Sequence, residues 1–336
     1  MVFPGRLAGM SDTEVELKLR ARPEDLGRVA AVPALASAER RIVSHRLHSI
    51  YFDTEDLRLL RHGISLRVRR QGRRFVQTLK LAAAQAGTHL ARSEWEVSVP
   101  GPEPDLARLP DGAARTGLDL VEPGELRPVF TAEVRRTTRM LDGGGSAIEV
   151  AIDRGEIRRP DGLVETVAEV ELELKSGSPG DLYAVAIALA EALPVRVETR
   201  TKSDRGYALA AGTAPGAVKA APVALNPDAP AEAAFEAILR NCLSQVLANQ
   251  HAAEAGEAEG VHQMRVGLRR LRSALGLFRR LLPGAEAPWF GAEVKWLAGE
   301  LGAARNWDVF LGQLMPPVER ARPEDPALAA LRRAGE

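Results

Sequence analysis

The chain has 336 residues, enough for two domains with substantial cores. Lys plus Arg equals Asp plus Glu at 45 each, so net charge argues for no polyanion partner and only its local distribution can. A lone cysteine, Cys242, excludes an internal disulfide and a multi-cysteine metal site; without a signal core or membrane-length apolar run, a soluble cytoplasmic protein with no membrane partner is expected.

Residues 1–10 read as a tail and 11–209 mainly as strands. Strands are predicted at 12–20, 46–53, 64–70, 74–81, 90–99, 128–140, 146–153, 156–159 and 164–175, with Gln71-Gly72 and Asp161-Gly162 among the turns. Helices are predicted from Pro23 to Ala31 and from Pro179 to Leu193, the latter with Leu182, Val185, Ala186 and Leu189 at helical spacing. Residues 210–230, built of Ala, Pro and Gly, read as a linker. Beyond it, 231–336 is helical, with helices at 231–252, 258–282, 286–304 and 306–315, separated in part by Pro283-Gly284 and Pro316-Pro317. The expected class is α+β: an antiparallel eight-stranded closed β-barrel with flanking helices, then an all-α helical bundle.

The predicted strands pair a charged row with an apolar one, because successive side chains point to opposite faces. Glu14, Glu16 and Lys18 alternate with Val15, Leu17 and Leu19. Arg67 and Arg69 alternate with Leu66 and Val68, and Lys80 lies between Leu79 and Leu81. Arg92, Glu94 and Glu96 form another row, as do Glu149, Ala151 and Asp153. Glu169-Val170-Glu171-Leu172-Glu173 repeats the opening pattern. Any one of these strands reads as an ordinary wet sheet face. Their recurrence, with acidic and basic strands segregated, points to a charged interior. Burying unpaired ions costs several kcal/mol each, so such an interior needs a ligand. Basic rows suit phosphate oxygens, and clustered carboxylates suit a hard divalent cation such as Mg²⁺.

In their order, Glu-x-Glu-x-Lys at 14–18, Leu-Arg-x-Arg at 66–69, Lys80, Arg92-x-Glu-x-Glu and Glu-Val-Glu-Leu at 169–172 resemble the CYTH domain of the triphosphate tunnel metalloenzymes. The resemblance, over about 11–209, implies metal-dependent hydrolysis of inorganic tripolyphosphate to pyrophosphate and phosphate. It implies Mg²⁺, with Mn²⁺ as an alternative, held by Glu14, Glu16, Asp153, Glu169, Glu171 and Glu173. It places Lys18, Arg67, Arg69, Lys80, Arg92, Lys202 and Arg205 on the phosphates, with either Arg135 or Arg136 facing inward. Glu14, Glu16 and Lys18 are the implied catalytic residues. Class IV adenylate cyclase and thiamine triphosphatase are the family alternatives. A binding or targeting protein without turnover is the non-enzymatic one.

Within 262–280 there are six Arg and no acid. Met264, Leu268, Leu271, Leu275 and Phe278 form an apolar stripe, and His262, Arg265, Arg269 and Arg272 a basic one beside it. Together with Leu301-Gly-Ala-Ala-Arg-Asn-Trp-Asp308, the pattern resembles a CHAD domain, of which the chain holds the first half. That implies long-chain polyphosphate as partner, held by His262, Arg265, Arg269, Arg272 and Arg305, with no specific nucleic acid. Asp308 is expected to orient an Arg.

Overall fold

The computed structural model describes residues 15–36, 38, 42–81, 93–109, 121–143, 145–214, 216–282, 284 and 286–335. They form two compact units, one ending at Thr213 and the other beginning at Ala214.

The first unit is built on nine strands: β1 (Val15–Arg20), β2 (Val43–Asp53), β3 (Ile64–Gln71), β4 (Arg74–Leu81), β5 (Ser93–Val99), β6 (Arg127–Gly143), β7 (Ser146–Arg158), β8 (Val164–Ser176) and β9 (Arg196–Val197). They form one antiparallel sheet in the order β5-β4-β3-β2-β6-β7-β8-β1-β9. This corrects the expectation of a closed eight-stranded barrel. The sheet has nine strands and, among the described residues, stays open between β5 and β9. Strand β1 is already paired on both sides, by β8 and β9, and β9 has two residues, too few backbone groups to close a ladder.

The two strands expected at 146–153 and 156–159 are one continuous β7. Gly155 permits this, because a Cβ there would lie 1.9 Å from the Glu133 carbonyl oxygen on β6. The predicted helix from Pro23 is instead a 3-10 turn, Leu26–Ala31, which buries Leu26 and Val29.

On the apolar face, Leu19, Val150, Val170 and Leu172 form a core with Leu182, Val185, Ala186 and Leu189. Full burial of each large side chain contributes about 1.5–3 kcal/mol. Two helices were not anticipated. A short α1 (Arg58–Arg61) follows β2, and buried Asp53 accepts from the amides of Leu59 at 2.8 Å and Leu60 at 3.0 Å. The expected helix, α2 (Pro179–Ala192), starts at Ser178, whose hydroxyl accepts from the Gly180 amide. The second unanticipated helix, α3 (Lys202–Ala211), runs into the predicted linker and ends at Gly212 with φ 64°. Thr201 and Asp204 close a reciprocal capping box at its start. Gly206 lets α3 press against the charged face of the sheet, since a Cβ there would meet the Phe130 ring at 2.0 Å. Tyr207 packs edge-on to Phe130, 5.1 Å between centroids, and Phe130 stacks on Tyr51 at 4.3 Å.

The second unit contains α4 (Ala231–Glu254), α5 (Ala258–Leu277), α6 (Glu286–Val309), a π-helical turn Phe310–Leu314, α7 (Met315–Ala321) and α8 (Pro326–Gly335). Cys242 and Val246 of α4, Met264, Leu268 and Leu271 of α5 and Val294 of α6 form its core. Gly267 allows close approach, as a Cβ would reach Val246 Cγ2 at 2.9 Å. Pro316-Pro317 does not end the helical run. It lies in the first turn of α7, where a missing amide is tolerated, after the π-turn. Part of the predicted linker is stapled down: Asn249 accepts from the Val218 amide and donates to its carbonyl, both at 2.8 Å. No helix among the described residues is long and apolar enough to cross a membrane.

Gly155→Ala is expected to lower unfolding stability by about 1–3 kcal/mol through forced strand displacement. Gly101→Ala, with nothing within 4 Å of the new methyl, should change it little. Urea denaturation of both variants measures the difference.

Candidate functional site

Cross-strand register assembles the site. Arg20 on β1 faces Glu169 on β8, Glu169 faces Asp153 on β7, and Asp153 faces Arg136 on β6. Two residues along, Lys18 faces Glu171 and Glu171 faces Ala151; next, Glu16 faces Glu173 and Glu173 faces Glu149. Alternation puts all of these side chains opposite the packed row of Leu19, Val150, Val170 and Leu172.

Asp153 and Glu169 are fully buried, so their charges need close partners. From the start of α3, Lys202 Nζ reaches Asp153 Oδ2 at 2.8 Å, Glu169 Oε2 at 2.6 Å and Glu171 Oε1 at 2.9 Å. Arg136 grips Asp153 with two bonds, at 2.8 and 2.6 Å, and also donates to Glu171. Arg205 donates to Glu169, to Glu165 at 2.7 Å and to the Thr166 carbonyl at 2.7 Å. Burial alone would push the Glu171 carboxyl up, but the charges of Lys202, Arg136 and Lys18 overcome it and hold the pKa at about 2. Burial would likewise lower Lys202 and Arg136; the surrounding carboxylates leave both raised. Asp153, Glu169 and Glu171 each offer an oxygen within 4.8 Å of the others. Three hard oxygen donors at that spacing fit a divalent cation of the Mg²⁺ type.

A basic wall lies on β3 and β4. Arg67 donates to Thr78 Oγ1 at 2.9 Å and lies 3.6 Å from Glu96, while its buried Nε has no hydrogen-bond partner among the described residues. Arg69 Nε donates to Ser49 at 3.0 Å. Burial, and then the neighbouring Arg67 charge, lower the Arg69 pKa to about 10. Lys80 meets Glu94 at 2.7 Å. Tyr51, Ser65, Arg67, Thr78, Lys80 and Ser203 line a small pocket there.

The structure thus gathers Lys18, Arg136, Asp153, Glu169, Glu171, Lys202 and Arg205 into one acidic-and-basic cluster, beside Arg67, Arg69 and Lys80. Lys202 lies with the acids rather than on the basic wall, and Arg205 is buried by its own ion pairs. Arg136 faces inward, whereas exposed Arg135 points the other way, towards Ser44 at 3.4 Å. Glu16 is half exposed, 3.5 Å from Lys18, and Glu173 pairs with Lys175 at 2.5 Å. Glu14 and Arg92 lie outside the described residues. The sequence reading missed Arg20, Ser49, Thr78 and Glu165. Arg20 simply continues the alternating row of Glu16 and Lys18, and Thr201-x-x-Asp204 was a legible helix start.

In the second unit Arg269 and Arg272 are exposed and, with Ser273, line a surface concavity. Half-buried Arg265 donates to the Ala298 carbonyl at 3.0 Å, and His262 is also half-buried. Arg305 lies 3.9 Å from Asp308. Arg270, on the α4-facing side, instead ties Gln245 and Asn241 at 2.8 and 2.7 Å.

A CYTH domain model matches residues 12–207. The chain belongs to the CYTH domain family. A CHAD domain model matches residues 237–336, so a CHAD domain follows the CYTH domain. An inorganic triphosphatase from Haemophilus influenzae is 28% identical over 203 residues, 58% of this chain and 54% of that protein. The chain therefore spans about half the length of that relative. Among solved structures, an adenylyl cyclase candidate from Hippeastrum, described as having a dominant triphosphatase activity, is 17% identical over 60% of this chain and 97% of its own, with a TM-score of 0.40. The CHAD domain from Ricinus communis is 39% identical over 36% of this chain and 42% of its own, with a TM-score of 0.31.

Because the Glu171 pKa is depressed in the folded state, its contribution to stability is complete above its ordinary value of 4.5 and is lost as pH falls towards about 2. In metal-free buffer, the urea midpoint of wild type is expected to fall more steeply across that window than that of Glu171→Gln. Parallel curves would contradict the assignment.

Proposed function

We propose that the CYTH domain hydrolyses inorganic tripolyphosphate to pyrophosphate and phosphate with a divalent cation, Mg²⁺ or Mn²⁺. One observation carries this reading: a largely buried carboxylate triad and the cations of the wall, Arg67 buried with Arg69 and Lys80 half-buried, share one face of one sheet. Arg69 is the sharpest part of it, being half-buried, next to another Arg and hydrogen-bonded to a neutral hydroxyl. Such a cation is stabilised by an arriving anion. The Arg67 and Arg69 forks match phosphate oxygens in geometry, and Lys80 and Lys18 add point charges.

Asp153, Glu169 and Glu171 would hold the cation, which when bound supplies positive charge against phosphate oxygens. The chain's own residues do the rest. Arg67, Arg69 and Lys80 orient the triphosphate along the wall and stabilise the charge that collects on the leaving pyrophosphate. Glu16 positions Lys18 beside Glu171 of the triad. Catalysis by positioning and fixed electrostatics suits phosphoanhydride cleavage, which needs little covalent help from the protein.

Cyclase or thiamine triphosphatase activity would need an aromatic face for a heterocycle. The aromatic rings nearest the wall, Tyr51 and Phe130, are stacked on each other and buried. For the CHAD domain we propose long-chain polyphosphate as partner, with exposed Arg269 and Arg272 as principal contacts and His262, Arg265 and Arg305 beside them.

Purified protein should release phosphate from tripolyphosphate only with added divalent cation, and should make no cyclic nucleotide from ATP. Lys18→Ala should lower kcat by about 10²–10³-fold, the scale for losing one transition-state charge contact, with the urea midpoint nearly unchanged. Full activity in that variant would sink the triphosphatase reading. For the helical domain, Arg269→Glu with Arg272→Glu should weaken binding of long polyphosphate, and the wild-type affinity should fall steeply with salt. Equal binding by both proteins in a calorimetric titration would exclude the assigned face.

A further inference from the structure

The three oxygens that would hold a divalent cation are already occupied by one ammonium. Lys202 Nζ lies 2.6–2.9 Å from Asp153, Glu169 and Glu171 at once. An ammonium and a metal ion cannot share that point. They compete for the same lone pairs, and like charges at contact distance repel strongly in a site of low dielectric.

Two other cations of the cluster, Arg136 and Arg205, are each held by more than one well-directed bond. Arg136 is fixed by its two-point grip on Asp153, and Arg205 by Glu165 and the Thr166 carbonyl. Lys202 makes no polar contact outside the triad among the described residues. It sits at the end of a flexible four-carbon stem, on the first residue of α3. The next residue, Ser203, hydrogen-bonds Ser65 at 2.9 Å and lines the pocket with Arg67 and Lys80. The start of α3 therefore borders the acid triad on one side and the basic wall on the other.

We propose that Lys202 is a built-in counter-ion which a divalent cation displaces, and that the displaced ammonium only then takes up, beside the basic wall, the triphosphate contact that the CYTH resemblance implies for it. This rests on the triad being a metal site, as proposed above. It makes Lys202 a group that couples the two halves of the site. Without metal, its charge neutralises the buried acids and keeps the sheet face intact. With metal, the same charge is handed to the phosphate, so metal favours substrate and substrate favours metal.

Two measurements on the full chain test it without phosphate present. Calorimetric titration with Mn²⁺ should show Lys202→Met binding at least about tenfold more tightly than wild type, a coupling of ordinary size. In wild type, acetylation of Lys202 by an N-hydroxysuccinimide ester, read by mass spectrometry against exposed Lys219, should rise several-fold on saturation with Mg²⁺. Unchanged Mn²⁺ affinity in the variant, or unchanged Lys202 labelling in metal-saturated wild type, would overturn the displacement while leaving the metal site standing. Failure of wild type to bind either ion would overturn both. Should Lys202→Met not fold, the labelling of wild type decides alone.

Discussion

Asp153 and Glu169 carry carboxylates that no water reaches, and the arrangement of the sheet face around them follows from that constraint. An isolated buried carboxylate is costly enough to unfold a domain of ordinary stability, so each must meet cations at hydrogen-bond distance. Arg136, Lys202 and Arg205 meet them, from β6 and from two positions on α3. Each carboxylate is met twice, Asp153 by Arg136 and Lys202 and Glu169 by Lys202 and Arg205. The chemistry of the network and its stability therefore rest on the same groups.

The compensation is incomplete on the neighbouring strands. Glu94 and Glu96 answer part of the charge of Lys80 on β4 and Arg67 on β3, but Glu96 is far more exposed than Arg67. Arg69 meets a serine. An arginine hydrogen-bonded to a neutral hydroxyl is the part of this face on which the proposed phosphate site rests.

The helical domain solves a different problem with the same residue type. Arg270 points towards α4 and spends its donors on Gln245 and Asn241. Arg269 and Arg272, on the opposite side of α5, face solvent. Helical periodicity alone separates structural from available arginines, because a shift of one residue turns the side chain by about 100°.

Much of this was legible in the sequence because it depends on local periodicity. The two-residue repeat sorted Glu16, Lys18, Glu169 and Glu171 from their apolar neighbours, and the 3.6-residue repeat sorted Leu268 and Leu271 from Arg269 and Arg272. Three things were decided only by tertiary structure. Openness of the sheet depends on the pairing of its edge strands, which no local pattern encodes. Choosing Arg136 over Arg135 depends on register across β6 and β7. The place of Lys202 among the acids depends on α3 docking through Gly206 against Phe130. The sequence by itself determined which charges share a face; only the fold decided which of them touch, because contact between distant residues is set by packing rather than by spacing along the chain.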